Sequence, residues 1–442
     1  MSKLIEPRTL RGFRDYPPEL MIPRERLMEA ARKVFRSYGF APIDTPAIEL
    51  TEILLAKVDD GAEITKQLYR FKDAGDRDVA LRFDLTVPLA RFVSQHFATL
   101  GMPFKRYHLG AVWRGESPQA GRYREFMQCD FDTIGTLSNA ADIEIALVIH
   151  DLMTALGFER YTIHLNNRSV LNGLLTSLGL NDKATSLLRS LDKLLKIGRD
   201  GVRDEMVKEA GVSAEQALQV IALAETQGSN ADVLAQLRER FAGNESAIKG
   251  VACLEETCRI FQTAGVLEDR LKVDLSICRG LDYYTGTVYE TFLSDLPGIG
   301  SVCSGGRYDN LTGRYTKQSL PGVGASLGLD RLLAAMEELN LLPKVSTPAP
   351  VFLTQFAADR LGDYQRIARL LRSHGIGCEV YPDAKKLGAQ FQYAEKRGFK
   401  LALIAGPDEF AKGEWKIKEL AKRVEQTIAE SELVEAIKKL IA

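Results

Sequence analysis

Apolar residues recur along this chain in three textures, and each predicts a different kind of element. Short runs of aromatic and β-branched residues edged by glycine predict strands within KRYHLGAVWR (105–114), YREFMQCDFDTIG (123–135), GTVYETFL (286–293) and GVGASLGLDRLL (322–333). Between them, from about 174 to 270, the spacing becomes helical. Over 181–198, leucines stand at 187, 188, 191, 194 and 195, which is the i, i+1, i+4, i+7, i+8 pattern of one helix face. The reading is an antiparallel sheet interrupted by a helical insertion.

A third texture begins after LLPKVSTPAPVF (341–352), where three prolines with Ser346 and Thr347 form a linker. Beyond it VFLTQF and KLALIAG predict short buried strands, and DYQRIARLLRSHG and AQFQYAEKRG predict helices closed by Gly375 and Gly398. That alternation predicts a small α/β unit with parallel strands. The expected division is therefore 1–345, with the insertion at about 174–270, and 346–442. The class is α+β with an α/β tail.

With 442 residues, 45% hydrophobic and 26% charged, the chain has apolar material for more than one core. Glu6, Arg8, Arg11, Arg14 and Asp15 break up the first twenty residues, and no run of eighteen apolar residues occurs, so the expected address is cytosolic with no membrane partner. The six cysteines form no CxxC pair and the five histidines no HExxH or finger spacing, which argues against a disulfide scaffold or a zinc site. The net charge is -1, but 346–442 carries 16 Lys and Arg against 13 Asp and Glu, a mild lean toward a polyanion partner.

Four stretches carry candidate chemistry. In LRFDLTVPLAR, Asp84 and Thr86 are expected to share one side of an extended segment, where an acid and a hydroxyl can hold an ammonium group; a solvated pair on a strand edge is the plainer alternative. In WRGESPQAGRYREFMQCDFD, Arg114, Arg122 and Arg124 surround a Gly- and Pro-containing loop that leads into a strand with Phe126, Gln128, Asp130 and Asp132. Guanidinium forks on both arms of a hairpin suit phosphate, and Gln128 and Asp132 face the same way. A surface hairpin whose arginines pair with Glu116 and Glu125 is the alternative.

The third stretch joins RGLDYYTGTVYE (279–290) to CSGGRYDNL (303–311): Arg279, Tyr283 and Tyr284 beside a Gly-Gly-Arg-Tyr turn imply a pocket with close backbone approach. Aromatic core strands around a glycine hairpin would explain the tyrosines, though not Arg279 and Asp282. In the fourth, GVGASLGLDRLL, Arg331 near a helix start can reach a phosphate or be an ordinary solvated charge.

Together PIDTPAIE, WRGE with REFMQCDFD, RGLDYYTGTVYE, GGRYD and GASLGLDRLL resemble the three class II synthetase motifs and the two histidine-specific signatures of histidyl-tRNA synthetases, and the likeness runs from RGFRDYPP to the tail. The resemblance implies a six- or seven-stranded antiparallel catalytic sheet, a homodimer joined through the motif 1 helix and a strand containing Pro46, a helical insertion and a C-terminal α/β anticodon-binding domain. It implies a ligase that activates histidine with ATP and Mg²⁺ and passes it to tRNA(His).

By the same resemblance, Asp84, Thr86 and Gln128 hold the α-amino group of histidine, and Asp132 and Tyr284, with Tyr283 in the same stretch, line the imidazole site. Arg114 takes the α-phosphate, Arg279 is the histidyl-specific catalytic arginine, Phe126 stacks on adenine, and Arg331 lies near the γ-phosphate, with Glu116 and Arg122 completing the ATP site. Asp132 stands where many bacterial forms have the longer Glu, Met127 where His or Tyr is common, and Ser117 where Arg is frequent, which leaves Gln119 as the candidate contact to the tRNA acceptor end. Lys385, Lys386, Gln390 and Arg397 are candidate tail contacts to tRNA, or a solvated helix face.

Two further readings share these motifs. One is the paralogous subunit that regulates ATP phosphoribosyltransferase, which typically lacks the tail and loses the catalytic arginines. The other is a tRNA-independent ATP-dependent ligase, which tRNA charging would separate from the first reading.

Overall fold

The computed structural model describes residues 4–55, 63–117, 121–278, 284–342 and 345–441. It divides into two compact units, one of residues 1–14 and 27–339 and the other of residues 15–26 and 340–442.

The first unit is built on an eight-stranded sheet whose order is 41–42, 104–113, 125–134, 322–328, 303–308, 287–293, 161–167 and 271–273. The six central strands pair antiparallel, and each edge is closed by a short parallel strand. The six antiparallel strands agree with the six or seven expected, and the short parallel strands 41–42 and 271–273 bring the sheet to eight. Pro46 falls in the connection between the strands Ala41–Pro42 and Ile48–Leu50, not within a strand. Lacking an N–H, it cannot extend either ladder.

Helix Asn139–Ala155, capped by Ser138 accepting from the Ala140 N–H, lays Ile145, Ile149, Leu152 and Met153 on the sheet with zero exposure. The helical insertion fills the crossover between the parallel strands Tyr161–Asn167 and Leu271–Val273. Its leucine stripe is shared by two helices, Ala184–Leu191 and Leu194–Ala210, which break at Asp192 and Lys193. Gly198 at φ 70° kinks the second. Leu187, Leu188 and Leu191 of the first helix meet the core.

Segment 81–91 departs from the extended form expected of it: helix Thr86–His96 begins there. Asp84 Oδ1 accepts from the Val87 N–H at 3.0 Å, and this satisfies a first-turn donor. Likewise Gly305 and Gly306 lie within strand Cys303–Tyr308 and make no turn.

In the second unit the strands Val351–Leu353, Cys378–Val380 and Leu401–Ile404 are parallel, and the hairpin Glu414–Glu419 with Val424–Ala429 adds antiparallel to the last of them. Helices Leu361–Ser373 and Leu387–Arg397 are followed by Gly375 and Gly398 at φ 75° and 78°. Gln390 is fully buried. Its amide accepts from the Gln355 N–H at 2.9 Å and donates to the Gln355 and Lys385 carbonyls, so it ties the fold together and is not a surface contact.

Candidate active site

Strand 125–134 supplies most of the site because alternate residues share a face. Phe126, Gln128, Asp130 and Asp132 point the same way, and the last three line a cavity of about 140 Å³ with Asp84, Thr86, Arg114, Tyr284, Ser304, Tyr308 and Ser326. A second cavity of about 290 Å³ is lined by Arg114, Glu116, Arg122, Phe126, Asp330 and Arg331. The two share Arg114, Gln128, Ser304 and Ser326 as wall. Ten residues expected from sequence are thus brought to two adjoining cavities. Arg279, Tyr283 and Gln119 lie outside the described residues.

The smaller cavity ends in buried charge. Arg106, with no exposure, stands opposite Asp132 in the ladder, and its Nη2 is 2.7 Å from Asp132 Oδ2 and 4.0 Å from Asp130 Oδ2. The Tyr308 hydroxyl donates to Asp132 Oδ1. Burial raises the pKa values of Asp84, Asp130 and Asp132 above the usual carboxylate range, and nearby guanidinium charge opposes the rise. The Tyr308 phenol is raised as well, by burial and then by the Asp132 charge.

Two glycines make this packing possible. A Cβ on Gly324 would lie 2.1 Å from Asp132 Oδ1, and one on Gly306 would press on the Tyr284 ring at 3.1 Å. Gln128 Nε2 donates to Ser326 Oγ at 3.1 Å, which fixes the amide at the junction of the cavities.

The larger cavity gathers cations. Arg114 Nε donates to the Phe83 carbonyl at 2.9 Å, and its guanidinium lies 5.1 Å from the Phe126 ring centre. Glu116 stands between Arg114 and Arg122, 3.9 Å from each, while Arg124 Nε donates to the Glu116 carbonyl. Arg331 donates to the Ser301 carbonyl from helix Leu329–Glu338. The neighbouring Asp330 accepts from the Met127 N–H at 2.7 Å, which pins that helix to the strand. One cavity thus offers carboxylates and hydroxyls to a small zwitterion, and the other offers guanidinium groups to phosphates and an aromatic face to a base.

Sequence reasoning missed Arg106, Tyr308, Ser304, Ser326 and Asp330. It saw Asp130 without assigning it a task, although the period of two that joins Gln128 to Asp132 passes through it. Arg106 carried no local signal: its role depends on the cross-strand partner. Arg307, within GGRYD, is bonded away from the site to Asp142 and Asp309.

Residues 12–332 match a family model described as histidyl-tRNA synthetase, and residues 352–440 match one described as an anticodon binding domain. A curated histidine–tRNA ligase of Rhodopirellula baltica is 58% identical over 98% of this chain and 99% of its own length. Another, of Treponema denticola, is 46% identical over 100% of this chain and 99% of that protein. The crystal structure of histidyl-tRNA synthetase from Nostoc sp. PCC 7120 superposes with a TM-score of 0.90 at 34% identity, covering 99% of this chain and all of that one. An ATP phosphoribosyltransferase regulatory subunit/histidyl-tRNA synthetase from Bacillus halodurans C shares the fold alone, at a TM-score of 0.73 and 22% identity over 88% of this chain and 97% of the other.

Proposed function

This chain belongs to the histidyl-tRNA synthetase family, and from that premise we propose that its two adjoining cavities are the histidine and ATP halves of one active site. The chain ligates histidine to tRNA by way of histidyl-adenylate. The regulatory-subunit and tRNA-independent readings give way to that activity.

The observation that carries the assignment is the shared wall: Arg114 and Gln128 border both a small cavity ending in carboxylates and a larger one rich in guanidinium groups. Histidine places its ammonium against Asp84, Thr86 and Gln128, its carboxylate toward the junction, and its ring beside Asp132 and Tyr284, with Tyr283 carried by the sequence resemblance. ATP lays its base on Phe126 and its triphosphate along Arg114, Arg122 and Arg331.

A carboxylate oxygen of histidine attacks the α-phosphorus, the bond to the β-phosphate oxygen breaks, and pyrophosphate leaves. Negative charge grows on the oxygens around phosphorus, where fixed cations lower the barrier most. Arg114 fills that role here and Arg279 fills it on the sequence resemblance. Of the residues on that wall, the carboxylates Glu116 and Asp330 would hold the magnesium that accompanies the nucleotide, which would supply positive charge to the leaving pyrophosphate.

In the second step a terminal ribose hydroxyl of tRNA attacks the adenylate carbonyl and AMP departs. Gln119 and Ser117 are proposed to meet the acceptor end, and 346–442 the anticodon. Ile48, Leu50 and Phe71, exposed by 47%, 40% and 45% on the small sheet of 48–50, 78–81 and 70–72, support a homodimer. Among the described residues no helix is long and apolar enough to cross a membrane, and the cytosol, where tRNA is charged, is the proposed location.

ATP–pyrophosphate exchange with each of the twenty amino acids tests the pocket and the reaction together. Histidine should stand alone. Arg114→Ala should cut the histidine-dependent rate about 10²- to 10³-fold with a far smaller loss of histidine affinity; equal losses would assign Arg114 to ground-state binding only.

A further inference from the structure

The stretch RGFR (11–14) opens the family resemblance but has no task in the two cavities. It lies along the hairpin that frames the larger one, whose outgoing arm bears Arg114 and Glu116 and whose return arm bears Arg122 and Tyr123. The Gly12 carbonyl accepts from the Arg124 N–H at 2.8 Å, and the Arg11 carbonyl accepts from Arg124 Nη1 at 3.3 Å. Arg124 Nε donates in turn to the Glu116 carbonyl at 3.1 Å, so one guanidinium ties segment 11–14 to both arms. Gly12 holds φ at 87°, a conformation that favours glycine.

Arg14 acts on the cavity wall itself. Its guanidinium lies 4.6 Å from the centre of the Tyr123 ring, Nη1 donates to the Tyr123 hydroxyl, and Tyr123 lines the larger cavity. On the other side of the segment, Phe13 meets Tyr69 edge-on with 6.2 Å between ring centres, and two residues before Tyr69 the Gln67 carbonyl accepts from the Gly115 N–H at 2.8 Å. A two-stranded hairpin holds little shape of its own in water. Segment 11–14 supplies the outside support that these arms need.

We propose that Arg14 is a positioning residue for the nucleotide: by stacking on Tyr123 and bonding its hydroxyl, it fixes the return arm of the hairpin and with it the wall on which Arg122 and Phe126 receive the triphosphate and the base. The proposal rests on the reading of the larger cavity as the ATP site. Tyr123 lines that cavity and not the smaller one, so the loss of Arg14 falls on ATP and spares histidine.

The test uses the full-length protein in histidine-dependent ATP–pyrophosphate exchange, with KM measured separately for ATP and for histidine. Arg14→Ala should raise KM for ATP about 10-fold, the lower end of what a hydrogen bond to a charged group contributes, and leave KM for histidine nearly unchanged. Arg14→Lys, which keeps a cation by the ring but loses the planar fork, should fall between Arg14→Ala and the native protein and serves if the alanine variant does not fold. In a Tyr123→Ala background the Arg14→Ala change should add almost nothing, because a residue that works through Tyr123 has nothing left to work on. Parallel rises in both KM values would mean a general loss of structure, additive effects would mean that Arg14 does not work through Tyr123, and an unchanged KM for ATP would mean that it positions nothing; each of these overturns the proposal. Arg114→Ala measured alongside separates this proposal from the reading beneath it. Native exchange in Arg114→Ala would overturn the assignment of the cavity and the proposal with it, whereas impaired exchange there beside a native Arg14→Ala would overturn the proposal alone.

Discussion

Arg106 and Asp132 face each other on adjacent antiparallel strands with 2.7 Å between Nη2 and Oδ2, and their side chains are 0% and 5% exposed. Removing one member of such a pair leaves the other as an uncompensated buried charge, which costs far more than the pair contributes intact. Arg106 Nη2 also lies 4.0 Å from Asp130 Oδ2, so its loss removes the cation beside two carboxylates. Arg106→Ala should therefore destabilise the first unit by about 3–5 kcal/mol, read as a drop in the midpoint of chemical denaturation. A loss below about 1 kcal/mol would mean that the carboxylates take up protons and need no cation.

Gly324 sits across the ladder from Asp132, and a Cβ there would come within 2.1 Å of Oδ1 and 2.6 Å of the Phe131 carbonyl. Backbone cannot yield to such a contact, so the carboxylate must move. Gly324→Ala should abolish most histidine-dependent exchange and cost about 1–3 kcal/mol of stability, as overpacking does. ATP binding, measured with a fluorescent analogue, should be little changed. A variant with native exchange kinetics would show that the placement of Asp132 is not critical.

Gln390 bonds the backbone of Gln355 on both its N–H and its C=O, bridging helix Leu387–Arg397 to the end of strand Val351–Leu353. Gln390→Ala leaves those buried groups without partners and should lower stability by about 1–3 kcal/mol, visible as earlier thermal unfolding of the second unit. Lys386→Ala, on an exposed side chain, should leave unfolding unchanged and act, if at all, on tRNA charging. The opposite pattern would return Gln390 to the surface.

Asp274 Oδ2 lies 2.6 Å from His164 Nδ1, and Oδ1 accepts from the Ser276 N–H and hydroxyl at 2.9 Å and 2.6 Å. Burial would push its pKa up, but the bonds from His164 and Ser276 outweigh burial and bring it down from 3.8 to about 2. A carboxylate whose folded-state value is depressed adds stability above its unfolded value and loses it as pH falls through the folded one. Asp274→Ala should accordingly cost about 2 kcal/mol at pH 7, and the gap between variant and native protein should close between about pH 4 and pH 2. Urea titrations at several pH values would show it; a gap that stayed constant would mean the carboxylate does not titrate in this range.

The strands 104–113, 125–134, 287–293 and 322–328 were legible because aromatic and β-branched runs ended by glycine have few other uses. Tail helices were legible through Gly375 and Gly398, which take the left-handed conformation their sequence position implies. Segment 81–91 was misread because Asp84 and Thr86 alternate as a strand would, whereas Asp84 in fact serves the first turn of a helix. Gln390 looked like one polar residue among several on a helix, since nothing local says that Gln355 waits beneath it.

The sequence by itself determined the residue types of the site and the family that combines them, because phosphate needs guanidinium, ammonium needs carboxylate, and both sets stand in short recognisable runs. Tertiary structure alone decided how the carboxylates share their work. Asp130 and Asp132 are the same residue type on the same face of one strand, and distant residues distinguish them: the Tyr308 hydroxyl donates to Asp132, the Arg106 guanidinium lies 2.7 Å from Asp132 and 4.0 Å from Asp130, and Ser326 bonds Asp130. A hydrogen bond acts over about 3 Å, so which acceptor is already filled is a property of the folded neighbourhood and not of the order of residues along the chain.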